Sequence, residues 1–172
     1  MTLRLRKFVL TAHVTSSVGW FGAVAGFLAL AVTGINSQDA QIVRTAYLAM
    51  ELIVRAVIVP LCLASLLTGI VLSLGTKWGL FRHYWIMIKL LMTILSTIGL
   101  LVHMQPISYM AGVAAERTLT NSDLSTQIQL VVASGAALLV LLVATILAIY
   151  KPRGLTPYGW RKQYVRKESQ QE

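Results

Sequence analysis

The chain has 172 residues and a formal net charge of +9, yet only 12% of its residues are charged and 56% are hydrophobic. A soluble domain carries roughly 25% charged residues, so composition and a mean hydropathy of +0.72 exclude an ordinary soluble enzyme or binding module. The single cysteine, Cys62, excludes an intrachain disulfide and reads as a small core residue.

The apolar residues fall in blocks. No Asp, Glu, Lys or Arg occurs from Phe8 to Gln38, from Ala56 to Thr76, from Leu90 to Ala115 or from Leu124 to Tyr150. Each block reaches the ~20 residues that a helix needs to cross the hydrocarbon. None shows the alternation of a membrane barrel strand. The chain therefore reads as an all-α membrane protein, a bundle of four transmembrane helices over residues 1–150. Met1 to Lys7 (MTLRLRK) precedes an apolar run too long for a signal-peptide core, so this segment reads as the start of the first span.

Helix 1 is expected over about 8–34. Its polar face carries His13, Ser16 or Ser17, Trp20 and Phe27, and Gly22 with Gly26 forms a small-xxx-small pattern that admits a close helix neighbour. Helix 2 is expected over about 45–74, kinked at Pro60, with Glu51 and Arg55 placed for a local ion pair near its outer end. Helix 3 is expected over about 83–103. Helix 4 is expected over about 126–150, after an outward loop from Gln105 to Ser125 whose SYMAGVAAERTL portion reads as a short helix on the bilayer.

Cations set the orientation. Arg4, Arg6 and Lys7 precede helix 1, Lys77 and Arg82 lie between helices 2 and 3, and six follow helix 4: Lys151, Arg153, Arg161, Lys162, Arg166 and Lys167. Eleven of the fifteen thus fall on one side, against Arg44, Arg55 and Arg117 on the other. By the positive-inside rule both termini are expected in the cytoplasm, in a bacterial plasma membrane. The basic character is topological and calls for no nucleic acid. The tail, residues 151–172, interleaves Tyr158, Trp160 and Tyr164 with cations, which suits an interfacial anchor on the lipid bilayer.

Helix 3 holds the residues most in need of explanation. Lys89 sits within its apolar run, where a lysine costs ~2.5–3.5 kcal/mol at the centre of a span. Trp85, Lys89, Met92, Ser96, Gly99 and His103 recur at spacings of four and three, so they share one face. His13 and Lys89 both lie ~8–9 Å in from the same membrane side, and His103 lies ~20 Å beyond Lys89. Intramembrane polar groups face the bundle interior, so both stripes are expected to line one internal space. Two readings of each residue stand side by side. Lys89 either serves a ligand or snorkels to the headgroups, and His13 either ligates or packs with its ring bonded to Ser or Thr hydroxyls. His83 reads as interfacial. His103 reads likewise or joins Glu51 and Arg55 in an outer site.

His13 followed seven positions later by Trp20-Phe21 resembles the first helix of the HemJ-type protoporphyrinogen oxidases. Trp85-x-x-x-Lys89-Leu-Leu resembles their third. The small bundle also resembles CopD-type membrane domains, and the YKPRG tail a family of bacterial four-helix membrane proteins. The resemblance implies haem b, with His13 on the haem iron, Lys89 near the haem or on it, and Trp20 and Trp85 in the cofactor site. His103 is the alternative second ligand. The oxidases' Arg-x-x-Asn-Glu-x-Pro-like element is absent from AERTLTNSDLSTQ before the last helix, so their activity is not carried across. Function is thus expected to be haem b binding with a redox or porphyrin-related role, that of a membrane oxidoreductase if an enzyme. The alternatives are an accessory subunit of a homo-oligomer or larger membrane complex, and a metal or small-solute permeation protein. Scarce intramembrane acids disfavour the last.

Overall fold

The structure is a computed structural model that describes residues 1–75, 83–116, 119–152, 154, 156–157 and 160–161, without the side chain of Asn121. Lys77, Arg82, Arg117, Arg153, Lys162, Arg166, Lys167, Tyr158 and Tyr164, used above for orientation and anchoring, lie outside the described residues.

Four helices are long and apolar enough to cross a membrane: Leu3–Asn36, Ala40–Gly75, Tyr84–Glu116 and Leu124–Tyr150. The chain is accordingly a multi-pass membrane protein. No strand element occurs among the described residues. α1 (Leu3–Asn36) starts at Thr2, whose side chain accepts from the Leu5 N–H. α2 (Ala40–Ile53) starts at Asp39, whose carboxylate accepts from the N–H groups of Gln41 and Ile42. The α1–α2 corner closes on Gly34, because a Cβ there would stand 2.9 Å from the Tyr47 ring. Tyr47 itself is fully buried.

The second span is not one regular helix. α2 passes through a π-helical turn, Val54–Ile58, into α3 (Val59–Gly75), and the Val59 N–H donates to Val54 O, five residues back. The cause stands two residues on. Pro60 has no N–H to donate, and its ring crowds the carbonyl four residues before it, so a widened turn relieves both problems. The bulge turns Val54 and Ile58 into the core, where both are buried.

The third span differs most from the sequence expectation. α4 runs from Tyr84 to Glu116, straight through Pro106, where a helix end near His103 and a long outward loop with its own surface helix were expected. A proline costs a helix one hydrogen bond, but tertiary packing overrides that cost here. Ile107, Met110, Ala111 and Ala114 are buried at spacings of three, one and three, a helical stripe beyond the proline. Arg55 adds a tie by donating to Ser108 Oγ at 2.9 Å. A short 3₁₀ turn, Asn121–Asp123, leads into α5 (Leu124–Tyr150). Asp123 is buried there and accepts from the N–H and hydroxyl of Thr120.

α1 packs against α2, α3 and α5, and α4 against α2, α3 and α5. Cys62 sits in the core as expected, and joins α3 to α4. Thr97 donates to Thr93 O at 2.8 Å, which leaves its oxygen to accept from the Cys62 thiol at 3.1 Å. The small pair Gly22 and Gly26 does not serve the helix contact expected of it within this chain: a Cβ at either would meet no atom within 4 Å.

Candidate functional site: a cationic cavity around His13 and Lys89

α1 and α3 meet through polar side chains, which in lipid find their best partners on a neighbouring helix. Ser17 Oγ and Ser65 Oγ are 2.7 Å apart. His13 Nδ1 lies 3.0 Å from Ser65 O and 3.1 Å from Thr68 Oγ1. A carbonyl only accepts, and the Thr68 hydroxyl already donates to Ala64 O. Nδ1 must therefore carry the ring hydrogen, and Nε2 carries the lone pair. The imidazole fits because position 69 is glycine, where an added Cβ would stand 3.0 Å from His13 Cε1. The hydroxyl contact matches a packing role. The fixed tautomer is also what a ligating histidine needs.

His13 lines a cavity of about 290 Å³ at the end of the bundle that carries the start of α1 and the end of α5. α1 contributes Arg6 and His13, α3 contributes Ser65, Gly69 and Ser73, and α4 contributes Trp85, Lys89 and Thr93. Lys151, at the end of α5, closes the set. Of the sequence candidates, His13, Lys89 and Trp85 are thus brought together. Lys89 faces this interior space rather than lipid, and its ammonium is within electrostatic reach of His13. Three full cations and the histidine surround the space, and no carboxylate lines it among the described residues. Such a pocket favours an anionic group, whose charge offsets the mutual repulsion of the cations in a region of low dielectric.

Lys151 is held in an unusual way. It is the only non-glycine residue with positive φ among the described residues, at φ 44° and ψ 63°. Glycine is the residue that usually ends a helix in this left-handed conformation, and Pro152 follows as it often does after such an end. A lysine here accepts backbone strain and places a cation at the cavity.

Trp20 and His103, the other two candidates, do not belong to this space. Both line a second cavity of about 380 Å³, further along the bundle, with Met92, Ser96 and Gly99 of α4 and with Phe27 of α1. The expected single internal space is therefore two, because the stripes of α1 and α4 are each shared between them. His103 is not placed as a second ligand opposite His13. Nor does it join Glu51 and Arg55: Arg55 pairs with Glu51 at 2.9 Å and reaches Ser108 instead. No cluster of three or more His, Cys, Asp or Glu that would hold a bare metal ion occurs among the described residues.

Arg6, Lys151, Ser65, Thr68 and Gly69 were not singled out from sequence. Ser65, Thr68 and Gly69 had a legible signal, since small and polar residues three and four apart in a membrane helix mark a helix contact. Lys151 had none, because it was counted with the topological cations.

Compared with known protein families, with curated proteins and with solved structures, the chain matches none of them.

Proposed function

We propose that the chain is a haem b-binding protein of the bacterial plasma membrane, with a redox or porphyrin-related role. One observation carries this reading. The His13 ring is locked through Nδ1–H on the Ser65 carbonyl, beside a cavity whose other charged groups, among the described residues, are all cations. The donor set fits the group. His13 Nε2 would take the iron, with Lys89, Arg6 and Lys151 for the two propionates and Trp85 as an apolar wall. The present volume of about 290 Å³ falls just below the ~300–1,000 Å³ typical of ligand sites, which suits the propionate-bearing edge of a macrocycle. When bound, the haem supplies one-electron chemistry at its iron, and the chain's own groups hold and orient it.

Purified protein, as isolated and after haem addition, is the test. A Soret band is expected, lost in His13→Ala and shifted or weakened in Lys89→Ala. Lys89→Arg preserves binding if the lysine meets a propionate and not the iron. Protein that stays colourless with added haem overturns the reading. The accessory-subunit reading then takes its place, supported by the open Gly22–Gly26 face on the outside of α1. A cation-permeation role has less support, since no carboxylate lines either cavity among the described residues.

Both termini are proposed to face the cytoplasm, on the bias of the sequence cations. Ser122→Cys, in the exposed turn before α5, should react with an impermeant thiol reagent in intact cells, with the buried Cys62 as the blank. A protected Cys at 122 would reverse the orientation.

A further inference from the structure

The second cavity is built for a different kind of molecule. α4 lines it from Met92 to Ile107 and α5 from Leu130 to Val140, so it extends ~15–22 Å along the bundle. Leu95 and Ala136 line it and are also exposed, so it opens sideways between α4 and α5 at the surface that meets lipid. Position 99 adds room, because a Cβ there would find nothing within 4 Å. The π-helical turn supplies the back wall through Val54 and Ile58. No Asp, Glu, Lys or Arg lines it among the described residues.

Polar chemistry is confined to a few points. His103 Nδ1 lies 2.8 Å from Gly99 O, an acceptor, so Nδ1 holds the ring hydrogen and Nε2 is an acceptor. Ser134 has committed its hydrogen to Leu130 O at 2.7 Å, so its oxygen too can only accept. His103 and Ser134 both lie toward the Leu130 end, and the rest of the lining is hydrocarbon apart from the Ser96 hydroxyl and the Trp20 indole N–H.

We infer that this cavity binds a membrane-dissolved, largely apolar molecule that enters between α4 and α5 and gives a hydroxyl hydrogen bond to His103. Isoprenoid hydroquinones and lipid alcohols share that chemistry. The inference does not rest on haem, because no group of the cationic cavity enters it.

The full chain in lipid nanodiscs, titrated anaerobically with decylubiquinol, decylubiquinone and farnesol against empty nanodiscs, tests it. Saturable binding of decylubiquinol is expected, roughly fivefold to tenfold tighter than decylubiquinone, which lacks the hydroxyl that donates. Quenching of tryptophan fluorescence that disappears in Trp20→Phe would locate the ligand in this cavity. His103→Leu should abolish the preference for the reduced form. Gly99→Leu should abolish binding, and Ala136→Leu, at the lipid-facing opening, gives the same reading if the glycine variant does not fold. Farnesol binding that depends on His103 assigns the source to lipid alcohols, and binding of the hydroquinone alone assigns it to hydroquinones. Three outcomes overturn the inference: partition no different from empty nanodiscs, equal affinity for reduced and oxidised forms, or binding untouched by both cavity-filling variants.

Discussion

The two cavities share a wall. One face of α4 runs along both, with Trp85 and Lys89 at the first and Met92, Ser96, Gly99 and His103 at the second. One face of α1 does the same, with His13 at the first and Trp20 and Phe27 at the second. Each cavity has one histidine with its Nδ1–H turned onto a backbone carbonyl. Yet the first is ringed by cations and the second is almost entirely hydrocarbon. What separates them is the remaining wall. At the first it is the polar end of α3, with Lys151 arriving from the end of α5. At the second it is the small residues of α5 and the widened turn before Pro60. A shared stripe thus does not imply a shared function, because a site's character comes from every helix that closes it.

The comparison breaks most sharply at the histidines. His13→Ala is expected to abolish the Soret band outright, read by absorbance of the purified protein. Loss of the same band in His103→Leu would show that the two cavities act as one site and would restore His103 as a ligand.

The paired glycines give the next largest effect. Gly69→Ala puts a Cβ 3.0 Å from the His13 ring, while Gly99→Ala puts one into open space. The ring cannot retreat without leaving Ser65 O, so a destabilisation of ~1–3 kcal/mol, together with weaker haem retention, is expected for Gly69→Ala. Gly99→Ala is expected to match or exceed the parent's thermal stability, since alanine is the better helix former by ~1 kcal/mol. Melting in detergent compares the two, and equal losses would contradict the packing described for α1 on α3.

Salt sharpens the contrast between a charged and an apolar site. Ligand affinity at the cationic cavity should fall several-fold between low and high ionic strength, and affinity at the apolar cavity should stay within error. A flat response at both would remove the electrostatic argument.

The smallest expected effect is at Lys151. Lys151→Gly relieves the positive-φ backbone and removes one cation. Stability should hold or rise by up to ~1 kcal/mol, and affinity for an anionic ligand should fall by a few-fold. A drop in stability without a change in affinity would mean that the side chain is structural.

The four spans were legible because hydrocarbon imposes a one-dimensional rule: a run of uncharged residues long enough to cross must be helical to satisfy its own backbone. The periodic face Trp85–Lys89–Met92–Ser96–Gly99–His103 was legible for a similar reason, as helical spacing alone puts those residues on one side. The third helix is expected to end near residue 103, but it continues to Glu116. The stripe Ile107, Met110, Ala111 and Ala114 carried the contrary signal, and burial against the neighbouring helices makes it prevail.

Local rules of spacing and charge therefore suffice for which segments are long and apolar enough to cross the membrane, which face of each is polar and how His13, Lys89 and His103 are spaced along their helices. Those properties belong to single helices and follow from a rise of 1.5 Å per residue and the cost of charge in lipid. The division of one polar face into two cavities, the π-helical turn's place in a cavity wall, the tautomer of His13 and the arrival of Lys151 beside Lys89 do not follow from those rules. Each depends on a partner from a distant part of the chain, and helix packing sets which partner that is.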